Sequence, residues 1–171
     1  LYNGPGENAF FQLQGVSSAR TYGLGFGNAV ENNGLNMVAY SDSNFAGDKE
    51  DSISTYGYCF ILNGVAVSWC SKKQDRVARS TADAEYVAAS HTTREALWMN
   101  KLLFDCDLPR PITVMMDNTT ALKQAKEHGF VTSQKSKHIA VHIHSVFECI
   151  RREYVDFEYC PTADMVADIF T

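Results

Sequence analysis

The chain has 171 residues, 45% of them hydrophobic and 20% charged, with a formal net charge of −5. This length and balance predict one soluble globular domain with a real core, and no apolar run nears the ~20 residues that span a bilayer. The charge argues against a free-standing nucleic-acid binder, which is usually basic, but not against a nuclease whose clustered acids are neutralised by cations.

The five cysteines, Cys59, Cys70, Cys106, Cys149 and Cys160, are odd in number and form no CxxC pair. They point to a reducing compartment and away from zinc or a disulfide framework. No signal peptide is visible, and an opening at Leu1 rather than Met reads as an excised piece. Residues 1–34 are turn-rich, with Gly4-Pro5-Gly6 and Glu31-Asn32-Asn33-Gly34, and read as a linker or the tail of a preceding domain. The compact domain is expected over 35–171.

Met37 to Tyr40 reads as a short buried strand, ended by the turn formers Ser41 to Asn44. That places Asp42 at the strand's carboxyl end, the edge where open α/β sheets bind ligands. Tyr56 to Leu62 is aromatic and β-branched; Asn63-Gly64 is a strong hairpin signal, and Val65 to Cys70 returns. Ser71 to Arg79 reads as a basic loop carrying Lys72, Lys73 and Arg76. It reads equally well as a solvated loop and as a substrate contact. Ser80 or Thr81 caps a helix that runs to about Phe104.

Pro109 and Pro111 break the chain before the buried strand Ile112 to Met116, which ends at Asp117-Asn118. Ala121 to Glu127 reads as a short helix, Ser136 to Arg152 as another, and Tyr154 to Tyr159 as an alternating strand. Pro161-Thr162 opens a last helix. The order βββ-α-β-α-α-β-α predicts an α/β fold. Its mixed five-stranded sheet has three antiparallel strands followed by two parallel ones, with helices on its faces. Trp69 and Trp98 read as core side chains. His138 and His142 are spaced i,i+4 but lack a third ligand, and read as a helix face.

Four acids stand at element ends: Asp42, Glu85, Asp117 and Asp168. If the first and fourth strands are parallel neighbours, Asp42 and Asp117 project at one sheet edge. The small Ala84, Ala88 and Ala89 let the long helix lie close enough to bring Glu85 there. Two carboxylates ~5 Å apart repel by ~3 kcal/mol at an effective dielectric of ~20. Such a cluster therefore takes up cations or a proton. Oxygen-only ligands suit Mg²⁺ or Mn²⁺, and a pair of such ions serves phosphodiester hydrolysis.

The ordered segments YSDSNFAGD (40–48), STYGY (54–58), VSWCSKKQ (67–74), STADAEYVA (80–88), Asp117-Asn118, KHI (137–139) and PTADMVADI (161–169) resemble the ribonuclease H domain of copia-type LTR retrotransposon polyproteins. Residues 22–27, YGLGFG, resemble the end of that family's polymerase connection. The resemblance implies a ribonuclease H-like fold and a metal-dependent endonuclease that cuts the RNA strand of RNA/DNA hybrids during reverse transcription. Two Mg²⁺ are implied as cofactors, with Mn²⁺ as substitute. The implied partner is the reverse transcriptase domain of the same polyprotein, with no membrane, in an intracellular, virus-like-particle setting.

The family's four acids fall on Asp42, Glu85, Asp117 and Asp168, with Asp164 the second choice for the last. By the two-metal scheme Asp42 would bridge both ions. Glu85 and Asp117 would hold the ion on the leaving-group side, and Asp168 the ion that activates water. Ser43 and Asn118 become candidates for 2′-hydroxyl contacts. Lys72, Lys73 and Arg76 become candidates for phosphates. Asp83 replaces a common Glu and is not read as a ligand.

Ser52-Ile53 stand where the family usually has Arg-Lys, and Ala140 and His142 where it has Asp and Arg. The loop Cys160-Pro161-Thr162-Ala163 lacks the histidine of cellular relatives. The alternative is a catalytically weak or silent module that braces a polymerase or binds a partner.

Overall fold

The computed structural model describes residues 35–48, 50–103, 110–126 and 140–171. The expected linker 1–34 and His138 lie outside the described residues. The elements in order are β1 (Met37–Asn44), β2 (Thr55–Leu62), β3 (Val65–Lys73), α1 (Thr81–Leu102), β4 (Ile112–Met116), α2 (Thr119–Lys126), α3 (Ala140–Arg151) and β5 (Val155–Tyr159). Two 3-10 turns follow, Thr162–Asp164 and Val166–Phe170.

The five strands form one sheet in the order β3-β2-β1-β4-β5. β1, β2 and β3 pair antiparallel, while β1–β4 and β4–β5 pair parallel. The expected α/β architecture is the one observed. Asn63 and Gly64 both take positive φ, 48° and 83°, the backbone that a two-residue hairpin between right-twisted strands requires. Strand alternation sends Met37 and Ala39, Phe60, Val114 and Phe157 to the α1 side, where all are buried.

α1 lies on that face through Ala84, Ala88, Ala89 and Ala96, each 0% exposed. With no side chain beyond Cβ, they let the helix sit close to the sheet. Ser80 caps α1, its side chain accepting from Asp83 N at 3.1 Å. Just before the helix, Gln74 is buried; its Nε2 donates to the Ala84 carbonyl at 3.0 Å and ties the chain after β3 to the helix start.

Four details differ from expectation. β1 does not end at Tyr40: it pairs with β2 through Asn44, because antiparallel hydrogen bonds continue where turn-forming side chains alone predict a stop. β3 likewise extends to Lys73, so Lys72 and Lys73 stand on a strand rather than in a loop. Trp69 and Trp98 are 53% and 52% exposed. β3 is an edge strand, and Trp69 alternates with Ser68, whose hydroxyl donates to Glu95 of α1 at 2.7 Å; the indole therefore points to the opposite face, away from the main core. The last helix is two 3-10 turns separated at Met165, whose backbone is extended (φ −73°, ψ 101°).

This closing segment straps the sheet face opposite α1. Met165, Ala167 and Cys160 pack there against Tyr40 and Met115. It also crosses Gly57, where an added Cβ would stand 2.7 Å from Phe170 Cβ and 2.9 Å from Thr171 Cγ2. Only a residue without a side chain fits so close a crossing. No helix among the described residues is long and apolar enough to cross a membrane.

Candidate metal centre

The parallel pair β1–β4 sets the site. Tyr40 is registered with Met115, so two residues further on Asp42 and Asp117 lie side by side on one face. β4 stops at Met116 while β1 continues, which leaves the flank of β1 open at that level. α1 delivers Glu85 from the other face. Its Oε1 accepts from both the backbone N and the hydroxyl of Ser43, at 3.2 and 3.0 Å. Asp42, Glu85 and Asp117 each offer a carboxylate oxygen, and these atoms lie within 4.8 Å of one another.

Asp168 is not one of that trio. It comes from the second 3-10 turn of the strap, near enough for the charges of Asp42 and Asp117 to act on it. Thr171, three residues on, donates its hydroxyl to Asp42 Oδ2 at 2.6 Å. Thr162, from the first 3-10 turn, donates to Asp117 Oδ2 at 2.7 Å.

The electrostatics show what this concentration of acid costs. Glu85 is 3% exposed. Burial first, then the charges of Asp42 and Asp117, push its carboxyl up to about 8, although the two bonds from Ser43 oppose the shift. Asp168 is pushed up to about 6, first by desolvation and then by the charges of Asp42 and Asp117. Glu85 Oε2 is buried without a hydrogen-bond partner among the described residues. A buried carboxylate oxygen without a donor, facing two further carboxylates, needs a cation or a proton. The all-oxygen donor set fits a hard divalent ion such as Mg²⁺ or Mn²⁺.

The remaining candidates are dispersed. Ser43 is buried and bonded to Glu85. Asn118 caps α2, its Oδ1 accepting from Thr120 N and Ala121 N at 3.0 Å each. Lys73 is paired with Asp48 and, at 3.3 Å, with Asp51. Lys72 is exposed. Arg76 reaches across to α3, where its guanidinium donates to His142 Nε2 at 3.2 Å.

A cluster of rings and cations surrounds that contact. His142 Nδ1 lies 2.9 Å from Ser90 Oγ, and its ring centroid is 6.2 Å from that of His91. His91 stacks on Tyr56 at 4.2 Å and is hydrogen-bonded to Arg94. Burial and the neighbouring cations lower both imidazoles, His91 to about 4. This cluster joins residues up to 86 positions apart in the chain (142 less 56), so no local pattern announces it.

No family model matches the chain. Over 141 residues it is 36% identical to a retrovirus-related Pol polyprotein from transposon RE1 of Arabidopsis thaliana, covering 81% of this chain but 10% of that protein. A second such polyprotein, from transposon TNT 1-94 of Nicotiana tabacum, is 34% identical over 136 residues, again 79% of this chain and 10% of the relative. The chain therefore spans about a tenth of the length of these relatives. A shorter match, 48% identical over 87 residues, covers 51% of this chain and 59% of a protein described as secreted RxLR effector protein 161 of Plasmopara viticola.

Among solved structures, an RNase H1 from Halobacterium salinarum superposes with a TM-score of 0.57 at 15% identity, covering 79% of this chain and 93% of that one. LC11-RNase H1, solved in complex with an RNA/DNA hybrid, superposes with a TM-score of 0.55 at 15% identity, covering 78% and 92%. These likenesses show the fold.

Proposed function

Because the chain fits a ribonuclease H domain of copia-type, retrovirus-related Pol polyproteins, we propose that it hydrolyses the RNA strand of RNA/DNA hybrids at the Asp42–Glu85–Asp117–Asp168 centre. The observation that carries this is the convergence of three carboxylates within 4.8 Å at the sheet edge of this fold, one of them buried with an orphaned oxygen.

Asp42, Glu85 and Asp117 would hold a divalent cation, and Asp168, presented by the strap, would complete a site for a second. Mg²⁺, or Mn²⁺ in its place, supplies charge neutralisation at the scissile phosphate and lowers the pKa of bound water. The protein's own share is placement. β1 and β4 set two aspartates by register. Ser43 fixes the Glu85 carboxylate through two donors, and the strap presents Asp168 from the opposite side.

Lys72 and Arg76, two residues either side of Gln74, would meet backbone phosphates, contacts that position without reading sequence. Asn118 would turn its amide nitrogen to a 2′-hydroxyl, the group that separates RNA from DNA. Ser43 and Lys73 serve inside the protein instead, on Glu85 and on the Asp48–Asp51 turn. The reverse transcriptase domain of the same polyprotein would be the covalent partner.

The test is cleavage of a labelled RNA strand in a hybrid with Mg²⁺, with Mn²⁺ and with chelator, beside Asp117→Asn. Metal-dependent cutting that spares single-stranded RNA and duplex DNA, and vanishes in the variant, is the expected result. A folded protein that cuts in neither metal at low salt would instead be the silent module. The net charge of −5 and the tying up of Lys73 by two acids favour that second reading.

A further inference from the structure

We propose that the hydroxyls of Thr162 and Thr171 are positioning groups for the metal centre, holding Asp117 and Asp42 in the orientation that accepts a cation. This rests on the reading of the four acids as a divalent-cation site. The two bonds are short, 2.7 Å from Thr162 Oγ1 to Asp117 Oδ2 and 2.6 Å from Thr171 Oγ1 to Asp42 Oδ2. Both fall in the range of hydroxyl–carboxylate bonds, which are stronger than neutral ones. Each occupies one carboxylate oxygen and so restricts rotation of the carboxylate plane. The second oxygen then has few directions left.

The placement is a property of the strap. Thr162 and Thr171 stand at its two ends, nine residues apart, with Asp168 between them. One end reaches the acid after β4 and the other the acid on β1. Between them, Met165 and Ala167 are pinned against Tyr40 and Met115, and the close crossing at Gly57 seats Phe170 and Thr171. Thr162 itself is exposed, so its hydroxyl had water as an alternative partner and the fold did not require this bond. Two separate hydroxyls on two separate aspartates of one cluster, both delivered by the segment that carries the fourth acid, set the carboxylates for a ligand the protein does not itself supply. Outer groups of this kind typically cost ten- to hundredfold in metal affinity when lost.

The test is Mn²⁺ binding by titration calorimetry on the full chain, for wild type, Thr162→Val, Thr171→Val, Thr162→Ser, Thr171→Ser and Asp117→Asn. Valine keeps the shape, including the Cγ2 near Gly57, and serine keeps the hydroxyl. The expected result is about ten- to hundredfold weaker Mn²⁺ binding in each valine variant and wild-type affinity in each serine variant. In cleavage assays the valine variants should lower kcat with KM for the hybrid unchanged, since the hybrid is not what these groups touch.

Valine variants that bind Mn²⁺ like wild type, while Asp117→Asn does not, would overturn the positioning role and leave the metal centre standing. Serine variants as weak as the valines would assign the effect to packing and also overturn it. If Asp117→Asn itself binds Mn²⁺ normally, the reading of the centre fails, and the clamp with it. Should a valine variant not fold, its serine counterpart decides alone: impaired binding there overturns the proposal, and normal binding with a normal melt supports it.

Discussion

Without metal, Glu85 should make the protein lose stability as pH rises, and Glu85→Gln should remove that loss. The carboxyl is raised from 4.5 to about 8 by burial and by the charges of Asp42 and Asp117. A carboxyl whose folded pKa lies above its unfolded one favours the native state fully below pH 4.5. That contribution declines as pH rises and is exhausted above about 8. The span of 3.5 units corresponds to about 5 kcal/mol, at about 1.4 kcal/mol per pH unit. Urea melts of wild type and Glu85→Gln in chelator, from pH 5 to 9, would read it as the difference between the two curves, which cancels the other titrating groups. Saturating Mn²⁺ should abolish the wild-type slope, because the cation replaces the proton. Parallel curves for the two proteins would refute the account, since they would mean that Glu85 is already ionised in the metal-free protein.

Asp42→Asn and Asp117→Asn should each abolish cleavage of the hybrid while keeping the metal-free protein folded, as a melt and a gel assay would show. Asp83→Asn should leave cleavage near wild type; equal loss there and in Glu85→Gln would mean that the wrong acid of α1 has been chosen as ligand. Acid should loosen the α1–α3 contact: His91 is lowered to about 4, so its share of stability is present above about 6.5 and is lost as pH falls through 4. Discounted for its partial exposure, that share is on the order of 1–2 kcal/mol, and His91→Gln should flatten the acid limb of a stability–pH curve. Gly57→Ala would drive a Cβ into Phe170 and Thr171; it should weaken Mn²⁺ binding together with thermal stability, because both depend on the seating of the strap.

The sheet was legible because its signals are local. Alternation marks β5, Asn63-Gly64 marks the β2–β3 hairpin, and turn formers bracket β4. The trio of acids was legible once β1 and β4 were taken as parallel neighbours, since register alone then places Asp42 beside Asp117. What the sequence hid is what depends on distant partners. The helical periodicity of residues 161–171 gave no warning that Met165 would be held extended by its packing on Tyr40 and Met115. The exposure of Trp69 follows from β3 being an edge, which its own composition does not encode. The Tyr56–His91–His142–Arg76 cluster draws on four elements or loops at once, and a helix reading of residues 161–171 gives no hint that the hydroxyls of Thr162 and Thr171 meet the acids.

The four acids lie at positions 42, 85, 117 and 168, one from each successive portion of the domain, and meet only because β4 inserts beside β1 and the strap folds back across both. In a chain made from its amino end, the first three can gather once β4 has docked. The fourth acid, and the threonine that holds the first, arrive with the final dozen of these residues. Full assembly of the centre therefore waits until Asp168 and Thr171 have followed β5 out of the ribosome. Any longer chain carrying this segment would pass through a stage in which its sheet is complete and its acidic centre is not.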